Sequence, residues 1–307
     1  MLGGALAPLP SSTAATLPPL VERTLFFGEP EVSGMQISPD GQYLSFLKPS
    51  NGVRNLWVKR TDEPFDKARP VTADRTHPLL NYFWSRDGKY IVFTRDADGD
   101  ENFNVYVVAL HDARSPDGQR PDVRNLTNRT GVRSVIYAAP KADPGRIYIG
   151  LNDRDRAWHD LYAVHISTGK LELIRTNDLR ATHWLFDLDG KLRLAVRTAD
   201  NGDTEILRLG PDGSTRIYSC TIVETCWPGP FHGDGKRVYV TSNHGHDVDL
   251  TRLSLIDVES GKEELVATDP QGRVDLERAT FSARTDALVA TAYTDDDGTR
   301  WEWRDSQ

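Results

Sequence analysis

Short apolar runs separated by polar turns repeat along most of the chain. In the stretch WSRDGKYIVFTRD, residues 84–96, an aromatic residue precedes an Arg-Asp-Gly-Lys turn, and a run of β-branched and aromatic residues follows it. Asp-Gly between two such runs predicts a β-hairpin, because the turn needs a positive φ that glycine adopts without a steric penalty. The turn glycines of the repeated stretches are Gly41, Gly88, Gly145, Gly190 and Gly235.

Each hairpin belongs to a longer repeating unit. The turn glycines recur at intervals of 47, 57, 45 and 45 residues. An apolar residue stands four positions before four of them, whereas the third copy has Lys141 there. A third apolar run, a second polar turn and a short fourth run follow each hairpin, so the unit is predicted to hold four short strands. No window has a convincing 3.6-residue apolar period, and the sequence therefore predicts little helix.

Four-stranded units repeated about every 45 residues are typical of a β-propeller, in which radially stacked sheets cover one another's faces. A β-sandwich also has many short strands, but it does not predict a recurring turn at a fixed period. We therefore predict an all-β fold, a β-propeller of four-stranded antiparallel blades with five complete blades and a partial sixth. The complete blades are expected at residues 34–73, 81–128, 135–177, 183–220 and 229–269. The incomplete propeller domain, built of WD40-like repeats, is predicted to span 20–307.

Residues 1–19 differ from the rest in being uncharged and rich in proline and alanine. They lack the basic start of a complete signal peptide, yet Ala5-Leu6-Ala7 has the small-x-small form of a cleavage site. Two interpretations stay open, a leader without regular structure and the remnant of a secretory signal. The second would favour a periplasmic or secreted protein over a cytoplasmic one.

Composition and charge exclude several function classes. The chain is 38% hydrophobic and 27% charged, which is ordinary for a globular protein. Its net charge of −8 argues against nucleic acid or an anionic membrane as the main partner, because both require a basic face. The sequence contains no apolar stretch of about 18 residues, so no transmembrane helix is predicted. No motif in it indicates a cofactor.

The chain has two cysteines, Cys220 and Cys226, in the stretch CTIVETC. Their spacing allows a local disulfide in an oxidising compartment, and two buried thiols are the other interpretation. A zinc site would need further ligands, and the sequence does not place them nearby.

Two acidic or histidine-rich stretches could attract a metal ion. In DADGDEN, a hard cation would use Asp96, Asp98 and Asp100, but the glycine and the twelfth position do not fit a calcium loop. In NHGHDVD, His244 and His246 lie in a loop between strands. We interpret both stretches as polar turns and predict no metal.

Longer stretches resemble a known family. Residues 37–47, 84–108 and 160–171 resemble the propeller of bacterial serine peptidases of the prolyl oligopeptidase family, close to the acylaminoacyl-peptidase branch. The stretch at 220–277 carries the more specific part of the resemblance. The resemblance implies a second, α/β-hydrolase domain with a Ser, an Asp and a His. It also implies that the propeller restricts entry to short peptides.

This sequence offers no catalytic residue for that chemistry. It has no G-x-S-x-G motif, and the nearest stretch, GPDGS at residues 210–214, has the wrong spacing and reads as a hairpin turn. The leading hypothesis is the non-catalytic propeller portion of a serine peptidase, inactive alone, whose partners are short peptides and the hydrolase domain of the same parent protein. The alternative is a self-standing TolB-like propeller that acts as a protein-interaction scaffold. Self-association through an open blade edge is a third idea.

Overall fold

The structure is a computed structural model, and it describes most of the chain. The described residues are 20–28, 30–97, 99–110 and 121–304. The predicted leader at residues 1–19 and the candidate ligand Asp98 lie outside them. Within the described ranges, no helix has the length and apolar character that crossing a bilayer requires.

The described residues form six antiparallel sheets, which are numbered here as blades along the chain. Blade 1 contains β1 (Ser33–Ile37), β2 (Tyr43–Ser50), β3 (Val53–Arg60) and β4 (Arg69–Pro70). Blade 2 contains β5 (Tyr82–Trp84), β6 (Tyr90–Arg95), β7 (Asn104–Ala109) and β8 (Val123–Asn125). Blade 3 contains β9 (Ser134–Ala138), β10 (Arg146–Leu151), β11 (Asp160–His165) and β12 (Leu171–Arg175).

The second half of the ring repeats the same meander. Blade 4 contains β13 (Ala181–Phe186), β14 (Leu192–Thr198), β15 (Thr204–Gly210) and β16 (Gly213–Cys220). Blade 5 contains β17 (Cys226–Phe231), β18 (Arg237–Ser242), β19 (Arg252–Asp257) and β20 (Glu263–Ala267). Blade 6 contains β21 (Arg278–Phe281), β22 (Leu288–Asp295) and β23 (Gly298–Trp303). A short helix α1 (Arg23–Phe27) precedes blade 1, and a 3-10 helix (Phe65–Lys67) lies between β3 and β4.

This architecture confirms the predicted propeller. Five blades have four strands and the sixth has three, in agreement with the predicted partial blade. Each complete blade begins within a few residues of its predicted start. The prediction succeeded because the repeat is encoded locally, in turns and alternating runs, and does not depend on distant contacts.

Four of the five predicted hairpin turns share one conformation at their glycine, and one differs. Gly41, Gly88, Gly190 and Gly235 have φ of 73°, 70°, 76° and 66°, the left-handed region that the sequence pattern requires. Gly145 does not have a positive φ. In that third copy, the N–H of Arg146 donates to the carbonyl oxygen of Asp143, 3.1 Å away. The intervening Pro144 fixes its own φ near −65°, so a different turn forms there.

The core is divided among the junctions between neighbouring blades. Between blades 4 and 5, for example, Val196 and Ile206 pack with Val238 and Val240 in one buried cluster. Five such clusters occur among the described residues, and each joins consecutive blades. None of the five joins blade 6 to blade 1. The seam between these two blades therefore has no shared apolar core in the described part of the chain.

Candidate functional site

A cleft of about 750 Å³ lies between blades 2 and 3, on the side of the ring opposite the Asp-Gly turns. It is lined by the end of β6, the following acidic loop and the start of β9. Phe83, Phe93, Phe103 and Ile136 supply its apolar walls. The hydroxyl of Tyr82 donates to the carbonyl oxygen of Gly34 at 2.6 Å, and burial raises the pKa of Tyr82 to about 12. These contacts hold the wall of the cleft against blade 1.

Arg95, at the end of β6, is the best-anchored charge of the cleft. Its Nη1 lies 2.5 Å from Oδ1 of Asp74, and its guanidinium lies 4.3 Å from the ring centroid of Tyr106. Burial alone would lower the pKa of Arg95, but the contacts with Tyr106 and Asp74 raise it above its usual value. The guanidinium therefore stays charged, and its planar fork can bind a carboxylate.

Two further charges face each other across the acidic loop. Glu101 has a φ of 57°, a left-handed conformation that is uncommon outside glycine. Its carboxylate lies 3.9 Å from Nη1 of Arg133, and that guanidinium lies 5.7 Å from the ring of Phe103. An uncommon backbone conformation beside a cleft is often retained for function, because the surrounding structure has to impose it. The cleft thus offers a strained acid and two arginines around an apolar centre.

Two of the three candidate cation ligands, Asp96 and Asp100, form hydrogen bonds within the loop itself. Oδ2 of Asp96 accepts a hydrogen bond from the N–H of Glu101 at 3.3 Å. Both oxygens of Asp100 accept from Asn102, at 3.0 Å each, and these bonds lower the pKa of Asp100. In the described ranges, the three-ligand grouping that could hold a metal lies elsewhere, at the end of blade 4.

A second cavity, of about 790 Å³, lies near the ring axis at the Asp-Gly turns. Residues from blades 1, 2, 3 and 6 line it, including Arg86, Lys141 and Arg284. Nζ of Lys141 lies 2.6 Å from Oδ1 of Asp286 in the β21–β22 turn, which connects blade 3 to blade 6 across the axis. Phe83 lines both this cavity and the cleft, so the two spaces approach each other at its ring.

The chain is similar to known proteins over most of its length. No family model matches it. It is 36% identical over 258 residues, which are 83% of this chain, to the dipeptidyl aminopeptidase BIII of Pseudoxanthomonas mexicana. The chain spans 36% of the length of that relative.

Two solved structures share the fold. The β-propeller domain of the Trilobed protease from Pyrococcus furiosus superposes with a TM-score of 0.60 at 10% identity, covering 90% of this chain and 81% of the other. Prolyl oligopeptidase B from Galerina marginata gives a TM-score of 0.55 at 14% identity, covering 90% of this chain and 41% of the other. The chain is a propeller of the prolyl oligopeptidase family. The resemblance seen in the sequence is thereby confirmed.

In blade 3, a hydroxyl and an imidazole lie in contact, as a nucleophile and its base would. Oγ of Ser167 lies 3.0 Å from Nδ1 of His165 on the exposed turn after β11. In the part of the chain that the structure describes, no carboxylate forms an ion pair with this imidazole. A catalytic base needs such an orienting group, so the pair is a turn contact rather than a hydrolytic centre.

A disulfide joins blade 4 to blade 5 of the propeller. Cys220, the last residue of β16, is bonded to Cys226, the first of β17, with their Cα atoms 5.8 Å apart. Sequence reasoning singled out His244 but missed Glu224, which the fold brings next to it. Glu224 accepts from the N–H of Thr221 at 2.7 Å, and its carboxylate lies 3.1 Å from Nδ1 of His244. These two contacts lower the pKa of Glu224 to about 2, and the hydrogen bond from Thr221 makes the larger contribution.

The sequence did not indicate the charged residues of the cleft either. Glu101 lies within the DADGDEN motif, so the sequence marked the loop as acidic but did not indicate which carboxylate faces the cleft. Arg95 and Arg133 belong to different blades, and no local spacing relates them. Only the ring geometry brings these charges to one opening.

Proposed function

We propose that this chain is the non-catalytic propeller portion of a serine peptidase and that it controls which peptides reach a hydrolase domain. The observation that carries the proposal is the 36% identity to a dipeptidyl aminopeptidase across 83% of the chain. Short peptides are the proposed substrates, and the hydrolase domain of the parent protein is the proposed partner. The absence of a G-x-S-x-G motif supports a role other than catalysis for these residues.

The dimensions of the two spaces support selection by size. The cleft of about 750 Å³ and the axial cavity of about 790 Å³ fall within the range of small-ligand pockets. A folded domain of 100 residues has a radius of gyration of about 13 Å and cannot enter such an opening. A di- or tripeptide can, so the propeller would pass short peptides and exclude folded proteins.

The charges of the cleft suit the same ligands. A short peptide carries an ammonium group and a carboxylate only a few bonds apart, with apolar side chains between them. Arg95 and Arg133 can pair with the carboxylate, Glu101 can pair with a cation, and the aromatic walls can cover the side chains. A cleft of one charge sign would not complement both ends of such a molecule.

A first experiment separates this role from catalysis. Residues 1–307 and the protein made from the whole reading frame would be treated with a serine-directed fluorophosphonate and assayed on a chromogenic dipeptide amide. We expect labelling and hydrolysis only when a hydrolase domain is present. Stoichiometric labelling of the 307-residue chain, with turnover that the label abolishes, would refute the proposal.

A second experiment tests the selection itself. Phe83→Ala, in the protein that carries its hydrolase domain, should raise kcat/KM for longer peptides relative to the dipeptide amide, because Phe83 lines both spaces. The matched control is Phe65→Ala on the outside of blade 1, which should leave that ratio unchanged. An equal change in both variants would mean that the path between the two cavities does not select substrates.

A further inference from the structure

Three potential metal ligands converge where blade 4 meets blade 5. One ligand atom each of Cys220, Glu224 and His244 lies within 4.8 Å of the other two. The three residues come from the end of β16, the loop that follows it and the residues just after β18. Cys226 is bonded to Cys220, so its sulfur lies next to this group, although it is not one of the three atoms within 4.8 Å of one another.

We propose that reduction of the Cys220–Cys226 disulfide converts this group into a zinc site with Cys220, Cys226, Glu224 and His244 as ligands. Zinc favours four ligands drawn from sulfur, imidazole nitrogen and carboxylate oxygen. The group is separate from the cleft, and the inference does not depend on the proposed function.

The chemical steps balance with one external reductant. A dithiol donates two electrons to the S–S bond and becomes a disulfide itself, which leaves Cys220 and Cys226 as thiols. Zinc then binds the two sulfurs as thiolates and releases two protons. The imidazole of His244 binds through an unprotonated nitrogen, and the carboxylate of Glu224 is already ionised at neutral pH.

The separations are close to those that the metal requires. Zinc–ligand bonds of about 2.0–2.3 Å place tetrahedral ligands about 3.3–3.8 Å apart. The ligand atoms of Cys220, Glu224 and His244, which lie within 4.8 Å of one another, therefore need to move by about 1 Å. The sulfur of Cys226 lies outside that group and has to turn toward it once the S–S bond is broken. The loop that carries Glu224 can supply this movement, because its Ile222 and Val223 are exposed to solvent.

Groups around the site already orient two of the ligands. The carboxylate of Glu224 accepts from the N–H groups of Thr221 and Gly245, at 2.7 and 3.3 Å. The ring of His244 packs edge-on against Tyr218, with the centroids 5.4 Å apart. Such outer contacts fix ligand orientation and typically change metal affinity by about 10–100-fold.

The disulfide and the metal exclude each other. While the bond is intact, the sulfurs cannot act as thiolates, and only Glu224 and His244 remain, which is too few for tight zinc binding. The junction between blades 4 and 5 would thus be held by a covalent bond in oxidising surroundings and by zinc in reducing ones.

Cobalt titration tests the inference, because Co²⁺ replaces zinc and reports its ligands by colour. The 307-residue protein, reduced with a water-soluble phosphine and freed of metal, should bind one equivalent of Co²⁺. We expect thiolate-to-cobalt charge-transfer bands, tetrahedral d–d bands and loss of both on adding Zn²⁺. The oxidised protein should show neither. Circular dichroism would establish that the reduced protein is folded.

Matched variants locate the site. His244→Ala and Glu224→Gln should each weaken Co²⁺ binding at least about tenfold. The control is His246→Ala in the same loop, whose imidazole is 94% exposed and should not contribute. Cys226→Ser, which cannot form the disulfide, should bind Co²⁺ more weakly but without a reductant.

Four results would overturn the inference. They are equal Co²⁺ binding by the oxidised protein, no binding by the folded reduced protein, equal losses in His244→Ala and His246→Ala, and no binding by folded Cys226→Ser. The last variant decides the matter if reduction unfolds the unaltered protein.

Discussion

Apolar side chains occur both at the junction between blades 4 and 5 and at the seam between blades 6 and 1. They are buried at the junction and exposed at the seam. At the junction, Val196 and Val240 are almost completely buried, and a disulfide lies at one end. At the seam, Ile37 of blade 1 and Trp303 of blade 6 are 65% and 73% exposed. Full burial of an apolar face in this fold therefore depends on the neighbouring sheet.

Each of the two blades at the seam has an outer face, the one turned away from the neighbouring blade with which it shares a buried cluster. Each blade covers part of this face with its own side chains. In blade 1, Phe46 is buried beneath Phe65 of the 3-10 helix, with ring centroids 4.9 Å apart. In blade 6, Trp301 and Trp303 stack 6.0 Å apart and lie opposite Ala292 and Ala290, which are buried. The side chains closest to each sheet are thus buried, and the aromatic rings that cover them are exposed to solvent.

The largest expected effect comes from placing a charge at the closed junction. Val240→Asp should lower the free energy of unfolding by about 3–5 kcal/mol, because the carboxylate would be buried without a partner. Ile37→Asp at the seam should change it by less than about 0.5 kcal/mol. Urea denaturation followed by tryptophan fluorescence compares the two, and similar losses in both would mean that the seam is closed in solution.

The disulfide should account for a smaller part of the difference. Replacing both cysteines by serine should cost about 2 kcal/mol, as expected for a short loop with a sequence separation of 6. The measurement is the same denaturation, carried out with a chelator to remove metal. A double variant as stable as the unaltered protein would show that packing alone holds blades 4 and 5 together.

The exposed tryptophans should affect association more than folding. We expect the 307-residue chain to self-associate through the outer face of blade 6, and Trp301→Ser with Trp303→Ser should weaken this association. The unfolding free energy of the monomer should fall by about 1 kcal/mol or less, since much of each ring is in solvent. Sedimentation velocity at several concentrations tests this, and an unchanged oligomer would remove the outer face as the contact.

The smallest expected effect is a pH dependence located at the junction. The folded state lowers the pKa of Glu224 from 4.5 to about 2, so it favours the ionised carboxylate. The stabilisation is fully present above pH 4.5 and is lost as the pH falls toward 2. Glu224→Gln should therefore be less stable near neutral pH, and the gap should close in acid.

Solvent screening keeps this effect modest, because Glu224 lies in a loop near the surface. The control is Glu302→Gln on the exposed strand of blade 6, which removes one negative charge away from the junction. A constant gap between Glu224→Gln and the unaltered protein down to pH 2 would contradict the assignment.

The sequence was sufficient for the fold because hairpins are local. The turn glycines and the alternating runs predicted the blades, and the one turn that differs contains Pro144, whose effect is also local. The candidate sites could not be predicted in this way. His244 lies 20 residues from Glu224, and Arg95 lies 21 residues from Asp74, so the folded hairpins and loops, not the spacing, bring these pairs together.

Lys141 broke the apolar repeat in the sequence, and the structure gives that departure a physical meaning. Its ion pair with Asp286 connects residues 145 positions apart and crosses the ring from blade 3 to blade 6. Among the described residues, blades 6 and 1 share no apolar cluster, so this ion pair is a polar contact that adds to the packing of blade 6 against blade 5. Because salt weakens such a pair, we expect blade 6 to be held less firmly to blade 3 as the ionic strength rises.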